Sequence, residues 1–204
     1  VHFSGALQTA TDYHALISLT AVQGDPMLKK TVFVVLFALT LCILASAQQD
    51  KSKRPSPPAQ AQCKFSDGKT ITVDYSSPRM KGRKIFGGLV PYSEVWRTGA
   101  NDATTFVTNA NLSVEGKDVP AGNYTIFTVP EQSKWTLIIN KQTGEWGIPY
   151  KYEANELARV PMQVSKTSAP VENFTINFEQ GGDACTLQMS WENTQASIKI
   201  SEKK

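Results

Sequence analysis

The sequence predicts an all-β protein, an antiparallel sandwich of about eight to ten strands with at most one short helix. Three observations carry that expectation. Apolar residues recur at every second position in many short runs, the period of a strand with one face buried. Gly, Pro, Asn and Asp separate those runs at short intervals. No long segment has the 3.6-residue period of an amphipathic helix. With 41% hydrophobic and 19% charged residues in 204, the chain has the material for a packed core.

The first elements are not strands. Lys29 and Lys30 follow Met27, an apolar run extends over residues 32–44, and Ala45-Ser46-Ala47 closes it. A basic start, an apolar stretch too short to span a bilayer and an A-x-A end describe a secretory signal peptide. Cys42 is preceded by Leu41, not by the small residue that lipoprotein processing wants. The expected organisation is therefore an upstream extension over 1–26, a signal peptide over 27–47, a Pro-rich linker over 48–62 and one β-sandwich domain over 63–204. The product would be exported, to the periplasm or beyond, with no stable membrane anchor once the signal is removed. Both histidines, His2 and His14, precede Met27. The mature chain then has no histidine for a Ser-His-Asp triad or a zinc site.

Within the domain, Ile71, Val73 and Tyr75 alternate with Thr72 and Asp74. Leu112 and Val114 lead into the tight turn Glu115-Gly116-Lys117. Residues 123–129 are apolar on both faces in places, as a central strand would be. Trp135, Leu137 and Ile139 form the next run, and Asn140 to Gly144 reads as a turn. Residues 150–160 are the place for the one short helix, through Ala154 to Ala158. Phe174, Ile176 and Phe178 alternate, then Cys185, Leu187, Met189 and Trp191, then Ala196, Ile198 and Ile200.

Cys63 shares its face with Phe65, and Cys185 shares its face with Leu187, Met189 and Trp191. Both therefore point at the core, and in an oxidising compartment they are expected to be bridged. The closed loop would be worth roughly 3–5 kcal/mol on chain-entropy grounds. The alternative is two buried free thiols.

Motifs for familiar chemistry fail on context. Ser66-Asp67-Gly68-Lys69 fits S-x-x-K, but Asp-Gly between two strands is a hairpin turn, not the helix a serine–lysine dyad needs. Gly82 to Gly87 has phosphate-loop spacing, yet Gly88 and Leu89 stand where Lys and Ser/Thr are required. The formal net charge of +3 is too small for a phosphate-tracking surface, so nucleic acid is not an expected partner. No cofactor is implied.

One stretch is dense in chemistry. Residues 75–101 carry Arg79, Lys81, Arg83, Lys84 and Arg97 close to Tyr92 and Trp96, with weak strand periodicity. A long irregular segment in a compact β domain is often a functional loop. Guanidinium groups beside aromatic rings suit carboxylates, phosphates or the apolar faces of sugars. The candidate ligand site is Arg79, Arg83, Tyr92, Trp96, Arg97 and Asn101, with Arg79 and Arg97 converging beside Trp96. The structural alternative has Arg97 clamped by Asp102 or Glu94.

The strings SSPRMKGRKIFGGLVPYSEVWRTGANDATTF, DVPAGNYTIFTVP, WTLIINK, ELARVPMQV and VENFTINF, in this order, resemble the secreted bacterial family called domain of unknown function 2911. The resemblance runs from Cys63 to about Ile200. It implies an exported all-β domain and supplies no catalytic assignment. Function therefore rests on residues. The leading expectation is a non-catalytic module binding an anionic or sugar-like small molecule or glycan through the Arg79–Asn101 loop. The alternatives are a hydrolase using two carboxylates from Asp74, Glu94, Glu145 and Glu153, and an envelope structural or assembly protein. Oligomeric state is not legible.

Overall fold

A computed structural model of the chain describes residues 53–204. The chain divides into two units, Val1–Gln49 and Asp50–Lys204, and the fold below is that of the second. The upstream extension, the signal peptide and the first part of the linker lie outside the described residues.

Nine antiparallel strands follow one another: β1 (Pro58–Lys64), β2 (Thr70–Ser76), β3 (Thr104–Thr108), β4 (Leu112–Val114), β5 (Lys117–Val119), β6 (Gly122–Pro130), β7 (Lys134–Asn140), β8 (Glu156–Gly181) and β9 (Ala184–Glu202). All nine belong to one hydrogen-bonded sheet, in the order β1-β2-β3-β6-β7-β8-β9-β4-β5. The all-β class and the strand number are as expected. The two sheets of a sandwich are here one sheet that curls round its main core.

The curl comes from β8 and β9. The first part of β8 pairs with β7, Leu137 facing Val160 and Trp135 facing Met162. Its last part pairs with the start of β9, Ile176 facing Met189. Between them the register slips at Lys166/Val171 and again at Val171/Thr175, as bulges that bend a strand do. β9 turns at Glu192, with φ +55°. These breaks carry the sheet back over β1 and β2. The Tyr75 amide-accepting hydroxyl sits 3.0 Å from the Ile176 N–H, and the Ser77 hydroxyl donates to the Phe174 carbonyl at 2.7 Å. Cys63 on β1 and Cys185 on β9 form a disulfide, with Cα atoms 6.4 Å apart across 122 residues of sequence.

Two expectations change. The residues assigned to the end of the linker form β1. Ala59, Ala61 and Cys63 turn inward, while Gln60 and Gln62 bond to Asp74 and Thr72 on β2. Pro58 is tolerated because it opens an edge strand. The Ala154–Ala158 helix is absent. A single 3-10 turn covers Glu153–Asn155 and β8 starts at Glu156, because Ala158, Val160 and Met162 bury one face at a period of two.

The main core joins Ile71, Val73, Phe106, Ile126, Leu137 and Ile139 to Leu187, Met189, Ile198 and Ile200. Phe127 and Ile138 point the other way and meet Ala103, Val95, Tyr150 and Tyr152 in a smaller cluster on the outer face. β6 is thus apolar on both sides, as its sequence indicated.

Candidate functional site

The segment between β2 and β3, residues 77–103, is irregular in backbone yet anchored throughout. Arg79 bridges Asn173, and the Met80 N–H donates to the Glu172 carbonyl at 2.8 Å. Ile85, Phe86 and Val90 are buried. The turn between them needs Gly88, where a Cβ would stand 2.6 Å from the Lys84 carbonyl oxygen. Trp96 exchanges both backbone hydrogen bonds with Thr128 on β6, at 2.8 and 2.9 Å. Its ring stacks on Trp191 at 6.0 Å and meets Phe86, Trp135 and Phe174 edge-on. Its Nε1 donates to the Gly99 carbonyl at 3.1 Å. The segment is therefore a plug that completes the core, not a free loop.

A second irregular segment, residues 141–155, lies over the outer face of β6 and β7. Tyr150 and Tyr152 pack on Phe127. The Tyr150 hydroxyl donates to Glu156 Oε1 at 2.6 Å and accepts from Asn140 Nδ2 at 3.1 Å. Arg159 grips the same carboxylate with two hydrogen bonds, at 2.6 and 2.8 Å. Burial alone would push the Glu156 carboxyl up, but the bonds from Arg159 and Tyr150 outweigh it and hold it below the usual carboxylate range. Burial, then the bond to Glu156, raises the Tyr150 phenol well above its ordinary value.

Between the two segments runs a cleft of about 750 Å³. Trp96 and Trp191 lie at its base. Arg83, Glu94 and Arg97 come from the first segment, Ile148, Tyr150 and Glu153 from the second. Three of the four exposed large hydrophobic residues among those described gather here: Leu89 (46% exposed) and Ile148 (44%) line it, and Trp146 (54%) flanks it beneath Arg97.

Arg97 is half-buried. Its guanidinium carbon lies 4.7 Å from the centre of the Trp146 ring, and Nη1 donates to the Trp146 carbonyl at 3.4 Å. Gly147 allows this approach, since a Cβ there would stand 2.9 Å from Ala103 Cβ and 3.1 Å from Arg97 Cβ. Burial pulls the Arg97 pKa below its ordinary value, and the charge of Asp102 partly opposes that. Asp102 itself lies 3.8 Å from Arg54. Among the described residues no carboxylate reaches ion-pair distance of Arg97. Its charge is partly desolvated and stacked, with most of its donors unspent.

The six residues singled out in the sequence divide. Arg83, Trp96 and Arg97 line the cleft. Arg83 does so with Nε and Nη2 already given to the Met80 and Arg79 carbonyls. Arg79 turns to Ser77, donating at 3.0 Å to its hydroxyl. Asn101, at φ +57°, donates to the Ser56 carbonyl and pins the chain that enters β1. Tyr92 packs over Gly87 and the edge of the core. These three do not line the cleft, so Arg79 and Arg97 do not meet. The second wall, with Trp146, Ile148 and Tyr150, was missed in the sequence. Its only signal was three aromatics and a proline in a segment without period.

Four carboxylates were named for hydrolysis. Glu94 and Glu153 both line the cleft and both are exposed. Asp74 lies on the outer face of β2, bonded to Gln60. The Glu145 carboxylate is enclosed with no hydrogen-bond partner among the described residues and does not line the cleft.

The family model described as "Protein of unknown function (DUF2911)" matches residues 56–200. The chain belongs to this family. No curated protein and no solved structure matches it. The DUF2911 match takes in both walls of the cleft, its two tryptophans and both cysteines of the disulfide.

Proposed function

We propose that this domain is an exported, non-catalytic binding module whose cleft takes an anionic or sugar-like ligand. The observation that carries the reading is Arg97. A guanidinium that is stacked on an aromatic ring, half-dry and without a carboxylate partner is held ready for an anion, so little entropy is lost when one binds. The cleft's volume falls in the range of small-molecule sites, roughly 300–1,000 Å³, and its wall mixes apolar side chains with a few polar ones in the usual proportion. The disulfide, and the absence of a helix long and apolar enough to cross a membrane among the described residues, are compatible with export.

A carboxylate hydrolase is the second reading, because Glu94 and Glu153 share the cleft. Glycosidases set their two carboxyls in unlike surroundings, one dry and one wet. Both of these glutamates are exposed, which favours binding over hydrolysis. A titration of the isotope-labelled domain with a mixture of small organic acids and sugars tests the proposal by NMR. Shifts gathered at Arg97, Trp146, Ile148 and Tyr150 are expected. Shifts confined to other faces of the sheet contradict it, and turnover of a glycoside that is lost in Glu153→Gln establishes the hydrolase instead.

A further inference from the structure

Resting on that reading of the cleft, we propose that its ligand is a single-charged acidic sugar of the uronate type, held by its carboxylate on Arg97 and by its hydroxyls on Glu94 and Glu153.

The charges of the wall decide between the possible anions. Two cations, Arg83 and Arg97, stand with two carboxylates, Glu94 and Glu153. A phosphate monoester brings a second negative charge into a site already holding two acids, and like charges at short range are unfavourable. A monoanion has no such conflict. Of the two arginines, Arg83 has committed Nε and Nη2 to backbone carbonyls, whereas Arg97 has committed Nη1 alone. The fork of Arg97 is therefore the one that can take a carboxylate through two parallel hydrogen bonds.

Glu94 and Glu153 give the opposite chemistry. Ionised carboxylates only accept hydrogen bonds, so they require donors from the ligand. A sugar ring supplies them as hydroxyls around its rim, and its C–H face is apolar. That face needs an apolar surface, and exposed Leu89 and Ile148 provide one beside the stacked Trp146–Arg97 pair. A hydroxylated ring without an anionic group leaves Arg97 unpaired, and a flat aromatic acid leaves both glutamates unpaired. A uronate satisfies all three groups.

The probe is the methyl glycoside of galacturonate, which carries one carboxylate, compared with its methyl ester, which keeps the sugar and removes the charge, and with inorganic pyrophosphate. Binding is read by calorimetry on the wild-type protein and on Arg97→Ala, Arg97→Lys and Glu153→Gln. The acid is expected to saturate the protein, with the ester and Arg97→Ala each weaker by about tenfold or more, as loss of a charge-assisted hydrogen bond usually costs. Arg97→Lys should fall between, because a lysine keeps the charge without the fork, and Glu153→Gln should weaken both sugars alike. The proposal is overturned if the millimolar galacturonate glycoside gives no saturable binding, or if the methyl ester binds as well as the acid. It is also overturned if pyrophosphate binds more tightly through Arg97. In the last two cases the cleft is still a ligand site. Equal binding by wild type and Arg97→Ala ends the reading of the cleft as well.

Discussion

Arg79 and Arg97 are the same residue type in the same dense stretch, yet only one belongs to a cleft. The difference lies in partners that sequence spacing does not reveal. Arg79 sits opposite Asn173, nearly a hundred positions away, and turns its head group to Ser77. Arg97 gains its ring from Trp146, which lies between the turn read over Asn140–Gly144 and the helix expected from residue 150. The cysteines were legible because parity is local: each shares a strand face with large apolar neighbours, and both faces must reach the one core. Glu156 carries a prediction at this scale. Its folded pKa is depressed, so its contribution is present above the ordinary value of about 4.5 and is lost as pH falls through the lower folded value. Glu156→Gln should therefore make stability less dependent on pH below about 4.5, as measured by denaturant midpoints across an acid series. An unchanged acid limb would show that the Tyr150–Glu156–Arg159 network adds no pH dependence.

At the scale of elements, the clean period-two runs became β2, β7 and the two ends of β9, and the Glu115-Gly116 turn joins β4 to β5 with both residues at positive φ. Periodicity did not reveal that residues 156–181 form one bent strand, because the bulges at Lys166/Val171 and Val171/Thr175 reset the alternation midway. Nor did it reveal that the 77–103 segment supplies core. Ile85, Phe86 and Val90 reach inward from turns and Trp96 from an isolated bridge to β6, so their spacing follows no regular element. A consequence separates this segment from an ordinary loop. Phe86 is buried against Trp96, Trp135 and Trp191, and Phe86→Ala should cost about 3–5 kcal/mol. Urea unfolding followed by tryptophan fluorescence measures this directly. A loss below about 1 kcal/mol, the scale of surface changes, would mean that the segment rides on the core without completing it.

For the whole molecule, the contacts that matter most join strands far apart in the sheet order. Tyr75 to Ile176, Ser77 to Phe174, and Cys63 to Cys185 hold the β1–β2 end against the β8–β9 hairpin. The Gln180 side-chain amide also donates to the Lys64 carbonyl across this seam. The disulfide closes a loop of about 120 residues, so the Cys63→Ala/Cys185→Ala double variant should lose about 3–5 kcal/mol while keeping the β-sheet circular dichroism of the parent. An equal midpoint with and without the bridge would show that packing alone closes the sheet.

Under the proposed function the 77–103 segment has two separate tasks: Phe86 and Trp96 complete the core, and Arg97 receives the ligand. Thermal and denaturant unfolding of Arg97→Ala, in the absence of any ligand, tests that division. Removing a partly desolvated charge that has no carboxylate partner should leave stability within about 1 kcal/mol of wild type, with only the stacking on Trp146 lost. A loss of about 3–5 kcal/mol, as when a buried pair is broken, would make Arg97 a structural clamp and contradict its place in a binding site.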